Sequence, residues 1–306
     1  MQNIQGIVVK HCLSAAMALA FAVACLAVAQ TSAEPGTETS MSALLEKHAA
    51  LAGALTQNQY RRPLFLESSE STNTISGHAY AVLDSPFNTV SATFKNPAKW
   101  CEVLILHLNT KYCRASADTS PSTLMMNIGR KTAQPLKDAT ALEFDYRLVD
   151  ASSNYMATRL NADKGPLGTS NYRIELQAIP LQEGKTFMHL GYSYSYGTAS
   201  RLAMRAYLAT LGSGKVGFTE IHQGEKSAYI GGMRGAVERN TMRYYLAIEA
   251  YLAALGQPPA QQFNARLQHW FDATEEYAQQ LHEVDKNSYV TMKKDEYQRQ
   301  QASPSS

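Results

Sequence analysis

A row of tyrosines is the first feature of the sequence that could bind a ligand. Three of the 17 tyrosines, Tyr192, Tyr194 and Tyr196, alternate with serines. Residues two apart on a β-strand lie on the same face of the sheet. If that face borders an apolar space, three phenols can stack on a ligand and hydrogen-bond its polar group. The alternative is that the rings pack against a covering helix, with their hydroxyls reaching water or the backbone.

A glycine-rich segment with two arginines is the second candidate. It runs from Gly231 to Asn240 and places Arg234 and Arg239 at the predicted start of a helix. Backbone N–H groups at a helix N-terminus, together with an arginine, favour binding of a phosphate or carboxylate. The alternative is a turn that only glycine tolerates, with Arg234 paired to Glu238 four residues later.

Familiar catalytic and nucleotide-binding motifs are missing from the sequence. Around Gly214 a P-loop fails, because Ala209 stands where its first glycine is required and Val216 where serine or threonine is required. A serine nucleophile elbow at Ser193 fails as well, because Ser195 stands where the last glycine of that motif is required. No two histidines are four residues apart, so no helical metal-binding pair is expected. We therefore predict no catalytic residue, no metal and no cofactor.

The composition indicates a folded protein that does not bind nucleic acid. Of the 306 residues, 45% are hydrophobic and 18% are charged, which is enough apolar chain for a sizeable core. The formal net charge is +2, without the basic surplus expected of a nucleic-acid-binding protein.

The N-terminus has the pattern of an export signal. An uncharged apolar run covers residues 13–29, preceded by Lys10 and followed by a small-residue cleavage motif that ends at Ala33. We expect residues 1–33 to form a signal peptide cleaved after Ala33. Cleavage after Ala29 and retention as an uncleaved anchor are the alternatives. The protein is therefore expected in the periplasm or outside the cell.

Two cysteines, Cys101 and Cys113, remain after the predicted cleavage. An even pair in an oxidising compartment indicates a disulfide, and we predict one between them. Closing so short a loop contributes about 3 kcal/mol in the chain-entropy model. A metal site is the alternative, but His107 is the only nearby histidine that could serve as a further ligand.

The alternation of polar and apolar residues predicts a sheet with one buried face. Over residues 141–149, 171–179 and 186–196, hydrophobic side chains share one side of each strand and polar ones share the other. The predicted elements are, in order, a linker and helix within 34–62, a strand at 76–84, helices at 87–95 and 98–106, strands at 107–115, 123–130, 141–149, 154–161, 171–179 and 186–196, a helix at 199–211, a strand or hairpin at 215–232, and a helix at 236–255. Six successive strands with short connections favour an antiparallel meander.

This order of elements resembles the helix-grip fold of START and Bet v 1-like proteins, over about residues 64–255. The local match is a strand leading into Asp84-Ser85-Pro86-Phe87-Asn88-Thr89-Val90, then a helix, then Asn96-Pro97-Ala98-Lys99-Trp100. The resemblance implies an α+β fold in which a curved antiparallel sheet of about seven strands wraps around a long helix. Members of that superfamily bind lipids, sterols or other hydrophobic molecules in an apolar cavity, and some catalyse reactions there.

The chain departs from the helix-grip pattern in two places. Residues 199–232 are inserted before the helix that would close the grip, and a further helix predicted at 261–285 follows it. We therefore predict a helix-grip-like domain at 63–257, a C-terminal helical extension at 258–297 and a disordered tail at 298–306. The helix at 261–285 is expected to pack on its own domain; the alternative is a seam for a homodimer or a partner protein.

These observations predict a periplasmic or secreted binding protein for a hydrophobic or amphipathic ligand, for example a lipid. The candidate ligand-binding residues are Tyr192, Tyr194, Tyr196, Arg234, Arg239 and Trp100. The partner is then an apolar small molecule or lipid, and contact with a membrane surface is compatible with this role. The alternatives are an enzyme of the cyclase or hydrolase type that uses the same cavity, and a cell-envelope protein that docks through its C-terminal helix.

Overall fold

A computed structural model describes residues 37–116, 122–210, 214–223 and 226–302. The predicted signal peptide and its cleavage site lie outside these residues. None of the described helices combines the length and the apolar character needed to cross a membrane.

The centre of the fold is a curved, open sheet of eight antiparallel strands. They are β1 (Leu64–Glu70), β2 (Thr74–Leu83), β3 (Thr110–Ala115), β4 (Thr123–Ile128), β5 (Thr140–Ala151), β6 (Met156–Lys164), β7 (Thr169–Pro180) and β8 (Thr186–Tyr196). Their spatial order is β1-β2-β8-β7-β6-β5-β4-β3, so the meander β3 to β8 returns to pair with β2. This pairing, with two helices inserted after β2 and a long helix after the meander, confirms the predicted helix-grip fold. The strand that the sequence did not predict is β1. It begins with a short apolar stretch that is largely buried and ends with polar residues.

Two short helices, α2 (Phe87–Phe94) and α3 (Pro97–Leu104), connect β2 to the meander. The side chain of Asn96 accepts a hydrogen bond from the Ala98 backbone at the start of α3, and Pro97 occupies the first turn. Within α3, Cys101 forms a disulfide with Cys113 of β3, which confirms the predicted pairing. The disulfide joins α3 to the β3 edge of the sheet.

The long helix α5 (Gly232–Ala253) packs across β1 and β2 on the inner face of the sheet. The closest approach is at Gly77 of β2, where a Cβ atom would lie 2.3 Å from the hydroxyl oxygen of Thr241. Near the start of α5, Glu238 is fully buried and fixes the preceding loop, because its carboxylate accepts the backbone N–H groups of Phe218 and Thr219. Two features therefore fix the position of α5: its close contact with Gly77 and the buried carboxylate of Glu238.

The insertion between β8 and α5 forms α4 (Thr198–Ala209) and a separate hairpin of β9 (Glu220–Gln223) and β10 (Lys226–Tyr229). Both elements fall within the segment predicted to contain a helix and a hairpin. Met204 and Leu208 of α4 pack against the core beside α5.

The outer face of the sheet is partly covered by α1 (Thr37–Thr56), a helix that agrees with the predicted N-terminal one. Leucines of α1 pack on an outer apolar cluster that includes Tyr80 and Phe187. Beside this cluster, His78 Nδ1 and His189 Nε2 lie 3.0 Å apart. Burial, followed by the charge of the neighbouring His78, lowers the pKa of His189 to about 3. The outer face is therefore less exposed to solvent than the alternation of its polar residues indicated, because α1 covers part of it.

The C-terminal extension consists of α6 (Pro259–Glu275), α7 (Ala278–Leu281) and α8 (Lys286–Ala302). The single continuous helix predicted at 261–285 is wrong: the chain leaves the helix at Tyr277, whose hydroxyl reaches back to the backbone oxygen of Tyr60. The predicted seam residues Leu267 and Trp270 are buried in the core of the same chain. Helix α8 was missed, and it continues through residues 298–302, where a disordered tail was predicted.

A buried ion network fastens α8 to β3. The carboxylate of Glu296 lies 3.0 Å from Lys111 Nζ and 2.7 Å from Lys293 Nζ, and all three side chains are nearly inaccessible. The lysines also donate hydrogen bonds to backbone oxygens, Lys111 to Leu108 and Lys293 to His107. Because one carboxylate and several backbone oxygens satisfy the two ammonium groups, this face of a helix of low overall hydropathy can be buried.

Candidate ligand-binding site

The predicted tyrosine row lies inside the grip, between β8 and α5. Tyr192, Tyr194 and Tyr196 are all buried on the inner face, as the alternation predicted. Two further tyrosines join them, and we call the five residues Tyr172, Tyr192, Tyr194, Tyr196 and Tyr244 the tyrosine cluster. Tyr172 stacks on Tyr194 with ring centroids 5.1 Å apart, and Tyr244 of α5 meets Tyr192 edge-on at 5.3 Å.

The hydroxyls of the tyrosine cluster differ in their hydrogen bonding. Tyr196 donates to the Ser71 backbone oxygen, Tyr172 pairs with the Thr169 hydroxyl, and Tyr192 interacts with Asn240. The hydroxyls of Tyr194 and Tyr244 have no hydrogen-bond partner within the described residues. Burial raises the pKa of both phenols, so they are neutral donors at physiological pH. Two hydrogen-bonding groups are therefore left for a molecule other than the protein itself.

His107 extends the tyrosine cluster into the region between α3 and β3. Its ring stacks on Tyr244 at 4.8 Å, and it is only 2% exposed. The Asn109 backbone N–H donates to His107 Nδ1, so the neutral ring carries its proton on Nε2. Nε2 has no partner within the described part of the chain. Burial, and then the charge of Arg243, lowers the pKa of His107 well below its usual value, which keeps the ring neutral.

A cationic group lies next to His107. Lys131, from the β4–β5 connection, and Arg243, from α5, both pair with Oε1 of Glu283, the arginine at 2.8 Å. Lys215 Nζ lies 3.8 Å from the other carboxylate oxygen. Burial, followed by the charge of Arg243, lowers the pKa of Lys131 to about 8. We call Lys131, Lys215, Arg243 and Glu283 the cationic cluster.

Glu283 is the carboxylate of the cationic cluster, and its side chain is 12% exposed. Burial raises its pKa, yet Arg243 and Lys131 outweigh this effect and hold the pKa below its usual value. The carboxylate is therefore charged, and it neutralises only part of the positive charge around it. Glu283 lies in the connection between α7 and α8, where the chain turns back toward α5.

Arg234 and Arg239 connect the start of α5 to neighbouring elements of the fold. Arg234 Nε donates to the Ser68 hydroxyl at 3.0 Å, and Arg239 donates to the Val216 backbone oxygen at 3.0 Å. The alternative ion pair of Arg234 with Glu238 is absent among the described residues, because Glu238 instead holds the loop before the β9–β10 hairpin. An anion site at this helix start stays a prediction.

Trp100 belongs to α3 and is buried in the hydrophobic core, apart from the tyrosine row. It is 1% exposed and packs edge-on against Phe94, whose backbone oxygen accepts its indole N–H at 3.1 Å. Tyr146 donates to the same oxygen. These contacts give Trp100 a packing role that joins α2, α3 and β5, while its predicted role in ligand binding stays untested.

The described part of the chain has several clefts that the tyrosine cluster does not line. One of about 350 Å³ lies between α5 and α6 and contains Arg62 and Glu249, and another of about 490 Å³ lies between α1 and the outer face of the sheet. Neither is lined by a ligand-binding residue predicted from the sequence. Within the described residues, no group of three or more histidine, cysteine or acidic side chains could hold a metal ion.

Comparison with models of known protein families gives no match, and comparison with curated proteins gives none either. Solved structures do match. A truncated norcoclaurine synthase from Thalictrum flavum is 12% identical, with 47% of this chain and 91% of that chain covered and a TM-score of 0.33. Human StAR-related lipid transfer protein 5 is 12% identical over 51% of this chain and 83% of its own, with a TM-score of 0.29. Major latex-like protein 151 from Panax ginseng is 12% identical over 42% and 89%, with a TM-score of 0.29.

The class of the protein is defined by its sheet order and helix placement: it has the helix-grip fold. Sequence reasoning found the tyrosine row and the stripe of α5 that contains Tyr244, because both follow a regular period. It missed His107, Lys131 and Glu283 as parts of a site. These three residues lie in connections, where no periodicity indicates which way a side chain faces.

Proposed function

We propose that this protein binds a hydrophobic or amphipathic small molecule, such as a lipid, against the tyrosine cluster inside the grip. One observation carries the proposal. The Tyr194 and Tyr244 hydroxyls and His107 Nε2 belong to one chain of ring contacts, and among them His107 Nε2 is fully buried without a partner in the described structure. Leaving a buried polar group unpaired costs about 1–3 kcal/mol, so a ligand that pairs with His107 Nε2 offsets that cost.

The tyrosine cluster also supplies the apolar part of the recognition. Its rings are surrounded by the inward side chains of the meander, among them Ile174 and Leu160. Phenol rings offer an apolar face to a chain or ring system and a hydroxyl to its polar group. Tyr172 and Tyr244 stay partly exposed, so the tyrosine cluster is not sealed completely from solvent.

We propose further that this binding takes place in the periplasm or outside the cell. The apolar N-terminal run supports export, as does the disulfide between Cys101 and Cys113, since disulfides persist in oxidising compartments. Fractionation of cells that make the full-length chain would detect the processed protein outside the cytoplasm. Recovery of the unprocessed chain in the cytoplasm would contradict this part of the proposal.

The first test is native mass spectrometry of protein purified without added lipid, followed by solvent extraction. A co-purifying apolar molecule would support the proposal and identify the class of ligand. In parallel, the purified protein is titrated with Nile red, and the dye is displaced with dodecanol, a neutral amphiphile. If no molecule co-purifies and neither probe binds at micromolar concentration, the proposal is wrong.

The location of the ligand is tested with the double variant Tyr194→Phe/Tyr244→Phe. The two lost hydroxyls have no hydrogen-bond partner among the described residues, so folding should be unaffected while dodecanol affinity falls about three- to tenfold, the value of one or two hydrogen bonds. The matched control is Tyr172→Phe, which loses a hydrogen bond to Thr169 and should lower stability more than affinity. Equal dodecanol affinity in the double variant and the parent would place the ligand elsewhere.

A further inference from the structure

The cationic cluster holds more positive than negative charge. Among the described residues, the salt bridges of this cluster join Lys131, Lys215 and Arg243 to the carboxylate of Glu283, which sets three positive charges against one negative charge. Arg243 is 1% exposed on its side chain, and Lys131 and Lys215 are each less than a third exposed. Cationic groups drawn together in a partly buried place are costly unless an anion compensates them.

The cationic cluster lies at one end of the tyrosine cluster. His107 connects the two, because its ring stacks on Tyr244, the residue that follows Arg243 in α5. His107 also brings an unpaired N–H donor that is almost completely buried. A molecule lying along the tyrosine rings would therefore have its end among a neutral N–H donor and two cations.

We infer that the ligand of the grip is an anionic amphiphile, whose apolar part lies on the tyrosine cluster and whose carboxylate or phosphate binds at His107, Lys131 and Arg243. The inference rests on the proposed function and adds the charge of the ligand's polar end. Charge-assisted hydrogen bonds from arginine and lysine to an oxyanion are about twice as strong as neutral ones. Glu283 then holds Lys131 and Arg243 in place before the ligand arrives.

The test compares three ligands that share a twelve-carbon chain: dodecanoate, dodecyl phosphate and dodecanol. Each displaces Nile red from the parent protein at pH 7 and moderate salt. We expect at least one of the two anions to bind about tenfold or more tightly than the alcohol, since they alone can use the cationic cluster. Whichever anion binds more tightly distinguishes a carboxylate from a phosphate head group.

The role of the cluster is tested with Lys131→Gln. This variant should weaken the preferred anion about fivefold or more and leave dodecanol within twofold, because one charged donor is lost. Lys137→Gln is the matched control: Lys137 is exposed in the same β4–β5 connection, and its replacement should change neither affinity. Circular dichroism of both variants confirms that the fold is retained.

The outcomes separate this inference from the proposed function. If dodecanol binds as tightly as both anions, or if Lys131→Gln weakens alcohol and anion equally, the charge of the ligand has been assigned wrongly while binding in the grip stands. If none of the three ligands displaces the dye and Nile red itself does not bind, the proposed function fails and this inference fails with it.

Discussion

The tight crossing of α5 over β2 at Gly77 leads to the sharpest prediction on stability. A methyl group at this position would lie 2.3 Å from Thr241 Oγ1 and 3.3 Å from its Cβ, well inside van der Waals contact. Thr241 is fully buried and its hydroxyl is bonded to the Val237 backbone oxygen, so it cannot simply rotate away. We expect Gly77→Ala to destabilise the protein by about 1–3 kcal/mol, the usual cost of overpacking a core.

The clash can be removed from the other side with Thr241→Ala, which deletes the hydroxyl oxygen. Alone, this change should cost about 1 kcal/mol for the lost buried atoms. In the double variant Gly77→Ala/Thr241→Ala the two losses should not add, and the coupling energy should reach about 1 kcal/mol or more. Urea unfolding followed by circular dichroism measures all four free energies.

Gly53→Ala is the matched control for this prediction. Gly53 lies within α1, where a Cβ atom would have no neighbour within 4 Å. The same substitution should there raise the free energy of unfolding by about 0.5–1 kcal/mol, because alanine is the better helix former. If Gly77→Ala is as harmless as Gly53→Ala, or if the losses in the double variant are additive, α5 does not lie on β2 as closely as the structure shows.

Three further predictions concern the disulfide, the buried ions and acid. Replacing both Cys101 and Cys113 by alanine should lower the free energy of unfolding by about 3 kcal/mol, and an unchanged urea midpoint would contradict this. Glu296→Gln leaves two buried lysines without their carboxylate and should cost about 3–5 kcal/mol in the same assay, whereas a loss below 1 kcal/mol would mean that α8 is not anchored by this network. The pKa of His189 is lowered to about 3, so between pH 6.5 and 3 the unfolded chain binds more protons than the folded one. Stability should therefore fall as the pH falls through this window, and the fall should be shallower in His189→Gln; identical pH profiles would exclude His189 as a cause.

The sequence predicted those parts of the fold that follow a regular period. The strands from β5 to β8 alternate cleanly, and the stripe of α5 repeats every three to four residues, so their existence and their buried faces were predictable. The missed strand β1 is largely polar. It is a strand because it pairs with β2, and no pattern within its own residues indicates that pairing. Helix α8 was missed for a related reason, since its buried face combines Tyr289 and Met292 with the ionic side chains of Lys293 and Glu296 and forms no regular apolar stripe.

The candidate site was predictable only in its apolar half. Tyr192 and Tyr194 were found because strand alternation sets the face of every second residue. His107, Lys131 and Glu283 come from three connections that are far apart in the chain, and they meet only after the sheet has curved and the C-terminal extension has folded back. A resemblance limited to residues 64–255 could not include Glu283, since that residue belongs to the added helices.

Helix α1 and the C-terminal extension both lie outside the helix-grip pattern, and they have different consequences. On the outer face, α1 covers the side chains of Tyr80 and Phe187. The extension packs against α5 and β3, and it brings Glu283 to Arg243 and Lys131. Since a carboxylate at this place orients the two cations but does not neutralise the whole cluster, the extension does more than stabilise the sheet. It also supplies the carboxylate that orients the charged end of the proposed site.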